Sequence, residues 1–264
     1  MQLHLNISGI KLSILFHQLR LFQICRSRYR AFLIKKPGVL KIEIHSPQGR
    51  IHGPSELTTI EGRQTLVYFR DGLRLTADKD NLLKWELNVN RLAGVDTALR
   101  VLLAQELPRR KAALIHSAAW EWQKKGWLFP GRSGAGKSTL GRLIKKKGIL
   151  YSDELNIVKK TPWGWRLYST PFWGAMAGTP IHREVSLKGI LFPVKSESWG
   201  TRPVQTIAGI KELLKCILNF RIQKTQMDPL LQVAASLIEE TTVGQIHFSR
   251  SAKGRNTFYT FTQN

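Results

Sequence analysis

The run Gly131-Arg-Ser-Gly-Ala-Gly-Lys-Ser138 constrains this chain more than any other part of its 264 residues. It fits the pattern G-x-x-x-x-G-K-[ST] in full. Gly131, Gly134 and Gly136 let the backbone curl until successive N–H groups point into one concavity, which binds phosphate oxygens. The device needs a strand leading in and a helix leading out, because the helix N-terminus supplies part of the positive field. The flanks comply: Trp127-Leu-Phe129 reads as an apolar strand, and Ser138 to Lys147 as a helix.

The chemistry follows from the residue types. Lys137 supplies a mobile cation for the β- and γ-phosphates of a nucleotide, and the Ser138 hydroxyl can ligate Mg²⁺. Arg132, Ser133, Ala135 and Thr139 complete the expected nucleotide-contacting set with the three glycines. Downstream, Leu150-Tyr-Ser-Asp-Glu154 places two carboxylates at the end of a strand. One could hold Mg²⁺ while the other accepts a proton from an attacking hydroxyl; a solvated acidic turn is the plainer alternative. His116 stands fifteen positions before Gly131, across an expected hairpin, and is a third candidate beside the reading of a structural histidine.

The rest of the chain divides by texture. Residues 1–108 form a β-rich region with a basic lead-in: Val39 to Ile44, Thr65 to Phe69, Leu73 to Thr76 and Trp85 to Val89 read as strands. Asp71-Gly72 is a turn, and Thr97 to Leu107 a helix closed by Pro108. Residues 109–264 form the nucleotide-binding domain. It has a strand over Ala112 to Trp120, a turn over Glu121 to Gly126, and a β-meander from Ile149 to Ser169. A strand over Val185 to Val194, two helices and a last short strand, Gln245 to Phe248, follow.

Lys and Arg number 41 against 18 Asp and Glu, a net charge of +23. Such an excess attracts a polyanion: nucleic acid, an anionic membrane or an acidic protein. No nucleic-acid motif accompanies it, and the eight Trp are scattered rather than arranged as a stacking platform. Specific nucleic-acid binding is therefore not expected. Residues 1–110 hold 18 basic and 9 acidic side chains and residues 111–264 hold 23 and 9, more than one triphosphate requires. The surplus points to an acidic protein or peptide partner, or peripheral contact with acidic lipid, most clearly in the acid-free stretch before Glu43.

Ile10 to Cys25 carries Lys11, His17, Gln18, Arg20 and Gln23, too polar for a membrane core. Met1 to Gly9 lacks the positive charge of a signal peptide, and two cysteines do not make a disulfide framework. A cytoplasmic location is the expectation.

His116, the hairpin, the phosphate loop, the helix ending at Gly148 and Ser152-Asp-Glu154 together resemble the catalytic domain of the HPr kinase/phosphorylase family and its HPr-kinase-related members. The resemblance is strong over Leu114 to Glu154 and loose to Phe248. It implies an α/β phosphoenolpyruvate-carboxykinase-like fold with a mixed-sheet P-loop kinase domain, and ATP-dependent phosphorylation of a serine hydroxyl on a protein. It also implies Asp153 as the base on the acceptor hydroxyl, Glu154 and Ser138 on the metal side, Lys137 on the phosphates and His116 as a catalytic helper. HPr kinases are oligomeric, and the resemblance leaves a homo-oligomer open here. Two positions depart from the family: Glu154 replaces a second Asp, and Pro171-Phe-Trp-Gly174 is followed by Ala175 where relatives place an acid, with Glu184 the next carboxylate along. These departures keep open a second function, a catalytically weak ATP-binding regulatory or adapter module.

Overall fold

A computed structural model describes residues 1–45, 58–60, 65–70, 73–78, 81–174, 176, 181–220, 227–251 and 255–263. The chain divides into two compact units, Met1–Gln105 with Asn219–Gln226, and Glu106–Leu218 with Met227–Asn264. Each is mixed α/β and built on a mixed sheet.

In the first unit, β1 (Gln2–Ile7) and β2 (Ile10–Phe16) form an antiparallel hairpin. Its turn is Ser8-Gly9, at φ 49° and 85°, the two-residue kind whose twist suits flanking strands. Then come α1 (Leu19–Arg28), β3 (Leu40–His45), β4 (Thr58–Ile60), β5 (Thr65–Arg70), β6 (Leu73–Asp78), β7 (Asn81–Asn88) and α2 (Leu92–Glu106). The strand order is β1-β2-β3-β7-β6-β5-β4. The crossover through α1 carries the chain back to the end where β2 began, so β3 runs parallel to β2, and also to β7. Period-two alternation puts Leu3, Leu5, Ile7, Leu12, Ile14, Leu40, Ile42, Ile44, Leu75 and Leu87 into the core. Most alternate positions, among them Lys41, Glu43, His45 and Lys84, stay at least partly open to solvent, while Ser13 and Thr76 are buried.

The expectations for this region meet different outcomes. The basic lead-in, for which the sequence left a partly helical segment or an early strand open, holds β1, β2 and α1. Helix α2 starts at Leu92 rather than Thr97, although Gly94 weakens helix propensity there. A Cβ on Gly94 would lie 2.1 Å from Val89 Cγ2, so tight packing requires the glycine. The Asp71-Gly72 turn lies outside the described residues.

The second unit begins with β8 (Ala112–Trp122), β9 (Lys125–Pro130), α3 (Lys137–Ile144), β10 (Ile149–Ser152), β11 (Leu155–Thr161) and β12 (Gly164–Tyr168). It continues with β13 (Glu184–Lys195), β14 (Gly200–Pro203), α4 (Thr206–Leu214), α5 (Met227–Glu239), β15 (Thr242–Phe248) and α6 (Arg255–Gln263). Strand pairing closes a circuit, β8-β11-β12-β13-β9-β8, from which β10, β15 and β14 extend. Strand β13 runs parallel to both β9 and β15, and the other pairs are antiparallel.

Side chains of opposite parity enter two cores. Leu128 and Ile190 pack with Leu213 of α4 and Leu230, Val233, Ala234 and Leu237 of α5. Trp127, Phe129 and Leu191 pack with Leu140 and Ile144 of α3 and Phe258 and Tyr259 of α6. Strand β9 is therefore buried on both faces, which is why it reads as a continuous apolar run.

Here too the structure corrects particular expectations. The β8–β9 turn is only Gln123-Lys124, at φ 49° and 59°. Glu121 remains in the strand because it is buried and accepts from Tyr151 Oη (2.6 Å) and Arg183 Nη2 (3.0 Å). The expected meander exists only as the β11–β12 hairpin. Strands β10 and β11 lie end to end along β8, Ser152 opposite Ala119 and Leu155 opposite His116. Asp153-Glu154 is thus a break in a running ladder and does not reverse the chain. Strand β15 is the last strand, as expected, though it begins at Thr242, and the unexpected α6 follows it. Among the described residues no helix is long and apolar enough to cross a membrane.

Candidate functional site

The loop from β9 to α3 takes the course its glycines permit. Gly134 and Gly136 sit at φ 84° and 93°, where side-chain-bearing residues are strained. A Cβ on Gly131 would come within 2.7 Å of the Ala135 Cβ. Gly131 N–H donates to the His116 carbonyl (3.1 Å), tying the loop to β8. Gly136 is the N-cap of α3, with no side-chain cap and no acid in the first turn. The helix therefore presents its positive end to the loop without a carboxylate of its own there.

Lys137 is buried, and its ammonium donates to the carbonyls of Gly131 (2.7 Å) and Arg132 (3.0 Å). Two of its three donors brace the loop, leaving one for another acceptor. Burial lowers its pKa from the ordinary lysine value, and the nearby charges of Cys216, Asp153 and Glu154 act in the opposite direction.

Asp153 is buried and held on three sides. It accepts from Ser138 Oγ (2.7 Å), Gly174 N–H (3.0 Å) and Met176 N–H (3.2 Å). Ser152 Oγ fixes the partner segment by donating to the Phe172 carbonyl (2.5 Å). A Cβ on Gly174 would stand 3.0 Å from Asp153 Oδ1, so a bare backbone is what lets this turn reach the carboxylate. Hydroxyl and carboxylate oxygens in this arrangement are hard ligands, suited to Mg²⁺.

These groups surround a cavity of about 600 Å³ lined by His116, Ser133, Gly134, Gly136, Lys137, Ser138, Thr139, Asp153, Glu154, Gly174, Lys195, Ser196, Phe248 and Arg250. Most of the sequence-predicted set is there. Gly131, Arg132 and Ala135 shape the loop without lining the cavity, and Arg132 is exposed. Glu184 does not line it either and pairs with Arg166 (2.9 Å). Ala175 lies outside the described residues. By resemblance Glu154 was the metal-side carboxylate, but Asp153 is the one bonded to Ser138.

Sequence reasoning missed Lys195, Ser196, Phe248 and Arg250. They stand at or just beyond the carboxyl ends of β13 and β15, as Gly131 does for β9. All three strands are parallel, so their carboxyl ends lie on one side of the sheet, and the cavity is lined there. The signal was a pairing between distant segments, which no local pattern records.

No protein-family model matches the chain, and no curated protein matches it.

Proposed function

We propose that this protein is an ATP-dependent kinase that transfers the γ-phosphoryl group to a serine-type hydroxyl of an acidic protein or peptide. The observation that carries the reading is the 2.7 Å hydrogen bond between Ser138 Oγ and Asp153 at the mouth of the glycine loop. It joins a phosphate-loop hydroxyl to a buried carboxylate from the break between β10 and β11, the pair that bound Mg²⁺ requires beside a triphosphate.

In this reading the loop N–H groups and the α3 N-terminus hold the phosphates. Lys137 neutralises charge on the oxygens of the transferring group, and Lys195 and Arg250 add cations across the cavity. Mg²⁺, when bound, would polarise the phosphate oxygens. Ser138 and Asp153 are the residues that would hold it. Glu154 also lines the cavity and would take the proton from the acceptor hydroxyl, with His116 beside it. This exchanges the two carboxylate roles implied by resemblance, because Asp153 is already committed to Ser138 and two backbone donors.

The test is incubation of the purified protein with γ-labelled ATP, Mg²⁺ and host lysate, followed by identification of the labelled residue. Glu154→Gln should abolish transfer at unchanged Mg²⁺ dependence. Asp153→Asn should abolish it and raise the Mg²⁺ concentration needed for ATP binding. Tight ATP binding with no transfer in Mg²⁺ or Mn²⁺ would favour the adapter module.

A further inference from the structure

The first unit carries a chemical cluster that the kinase reading leaves unused. On the open face of its sheet, β2 and β3 run parallel with Leu15 opposite Glu43 and Phe16 opposite Ile44. One step further along, His17 comes level with His45, and Glu43 precedes His45 by two residues on the same face. Three side chains from distant parts of the sequence therefore converge at the strand ends.

Their contacts are specific. His17 Nε2 lies 2.8 Å from Glu43 Oε1, and His45 Nε2 lies 3.8 Å from the same oxygen. The two imidazoles stack, with centroids 5.2 Å apart and planes 18° from parallel. One ligand atom from each residue lies within 4.8 Å of the other two. Metal–nitrogen bonds of about 2.0–2.1 Å in a tetrahedral shell put neighbouring ligand atoms about 3.3 Å apart. The two distances to the carboxylate oxygen straddle that value.

We propose that His17, Glu43 and His45 form a binding site for a divalent transition-metal ion of the Zn²⁺ class. Two imidazoles and one carboxylate suit zinc and its neighbours, whereas Mg²⁺ and Ca²⁺ prefer all-oxygen shells. Three protein ligands leave a fourth position for water or another ligand. The residues are half-exposed, so an ion reaches them without opening the core. Glu86 of β7 stands opposite Glu43, so a second carboxylate adjoins the site and adds to its pull on a cation. The site is independent of the phosphate loop and of the kinase reading.

The full-length protein, stripped with a chelator and free of nucleotide, is titrated with Zn²⁺ against a chromophoric chelator, and with Co²⁺ for its visible spectrum. The wild type should bind one Zn²⁺ that His17→Ala/His45→Ala loses, with affinity down on the order of 100-fold or more. Glu43→Gln should weaken binding and change the Co²⁺ spectrum. Asp153→Asn controls for an ion at the phosphate loop and should leave this equivalent in place. Circular dichroism and melting check that the variants fold, as substitutions at exposed positions should allow. Undiminished binding in the double histidine variant overturns the proposal, as does a wild type without a Zn²⁺ equivalent or an equivalent lost only in Asp153→Asn.

Discussion

Both units contain a strand that turns directly into a helix, and the two turns differ in nearly every respect. Between β2 and α1 stand only His17 and Gln18, with Gln18 in extended conformation and no side-chain cap on the helix. Between β9 and α3 stand six residues, three of them glycine, two at positive φ, and a cavity opens there. Both helices offer the same free N–H groups and the same dipole. A helix N-terminus is therefore not enough to make an anion site. The chain must also curl so that backbone donors converge, and only the second turn has the glycines for it.

The largest expected effect separates the turns by function. Lys137→Ala removes the buried cation that braces the loop, and ATP affinity should fall about 100-fold. Arg20→Ala, in the first turn of α1, should leave it unchanged. Equilibrium binding of a fluorescent ATP analogue measures both; an equal loss in the two variants would break the contrast.

Glycine substitutions come next. In the first unit a Cβ on Gly38 would meet the backbone of Lys11 and Leu12 at 2.3 Å, so Gly38→Ala should cost about 3 kcal/mol of stability. In the second, a Cβ on Gly136 would lie 2.7 Å from Phe248 Cζ, added to strain at φ 93°. Gly136→Ala should cost about 2 kcal/mol and also weaken ATP binding. Gly134→Ala, with nothing within 4 Å, should cost only the backbone strain of about 1 kcal/mol. Urea denaturation gives the stabilities, and the order Gly38, Gly136, Gly134 is the expectation to be checked.

The remaining effect is confined to high pH and touches both units. Burial raises the Cys25 thiol from 9.0 to about 12 and the Cys216 thiol from 9.0 to about 11. The folded state thus keeps protons that the unfolded state releases, so this stability is intact below pH 9 and is lost as pH rises through the folded values. By about pH 10.5 each thiol should have cost the fold roughly 2 kcal/mol. Lys137, whose pKa is lowered, acts with the opposite sign just below the ordinary lysine value. Cys25→Ala and Cys216→Ala should each flatten the loss between pH 8 and about 10.5, measured as urea midpoints; an unchanged slope in both would remove the thiols as its cause.

What could be read in advance was what local sequence encodes. The glycine loop announces its own strand and helix, and Leu40 to His45 announces its alternation. Helix α6 was hidden because Thr257-Phe-Tyr-Thr-Phe-Thr262 has strand-like composition. It folds as a helix because Phe258 and Tyr259 pack against Trp120 (5.6 and 6.1 Å between centroids), a tertiary gain that overrides propensity. Of the site, Lys137, Ser138 and Asp153 were legible because they sit in or just after a motif. Lys195 and Arg250 were not, since their place depends on which distant strands pair.

That pairing governs when the cavity can exist at all. Strand β9 is flanked by β8, across a two-residue turn, and by β13, about 60 positions later, which in turn needs β15. Contacts of such separation close slowly, since the intervening chain must first be ordered. On a ribosome the hairpin and loop emerge first, and the wall formed by Phe248 and Arg250 follows more than a hundred residues later. The loop is thus an early-made part waiting for a late-made frame, and a truncated or stalled chain would display its glycines with no cavity behind them.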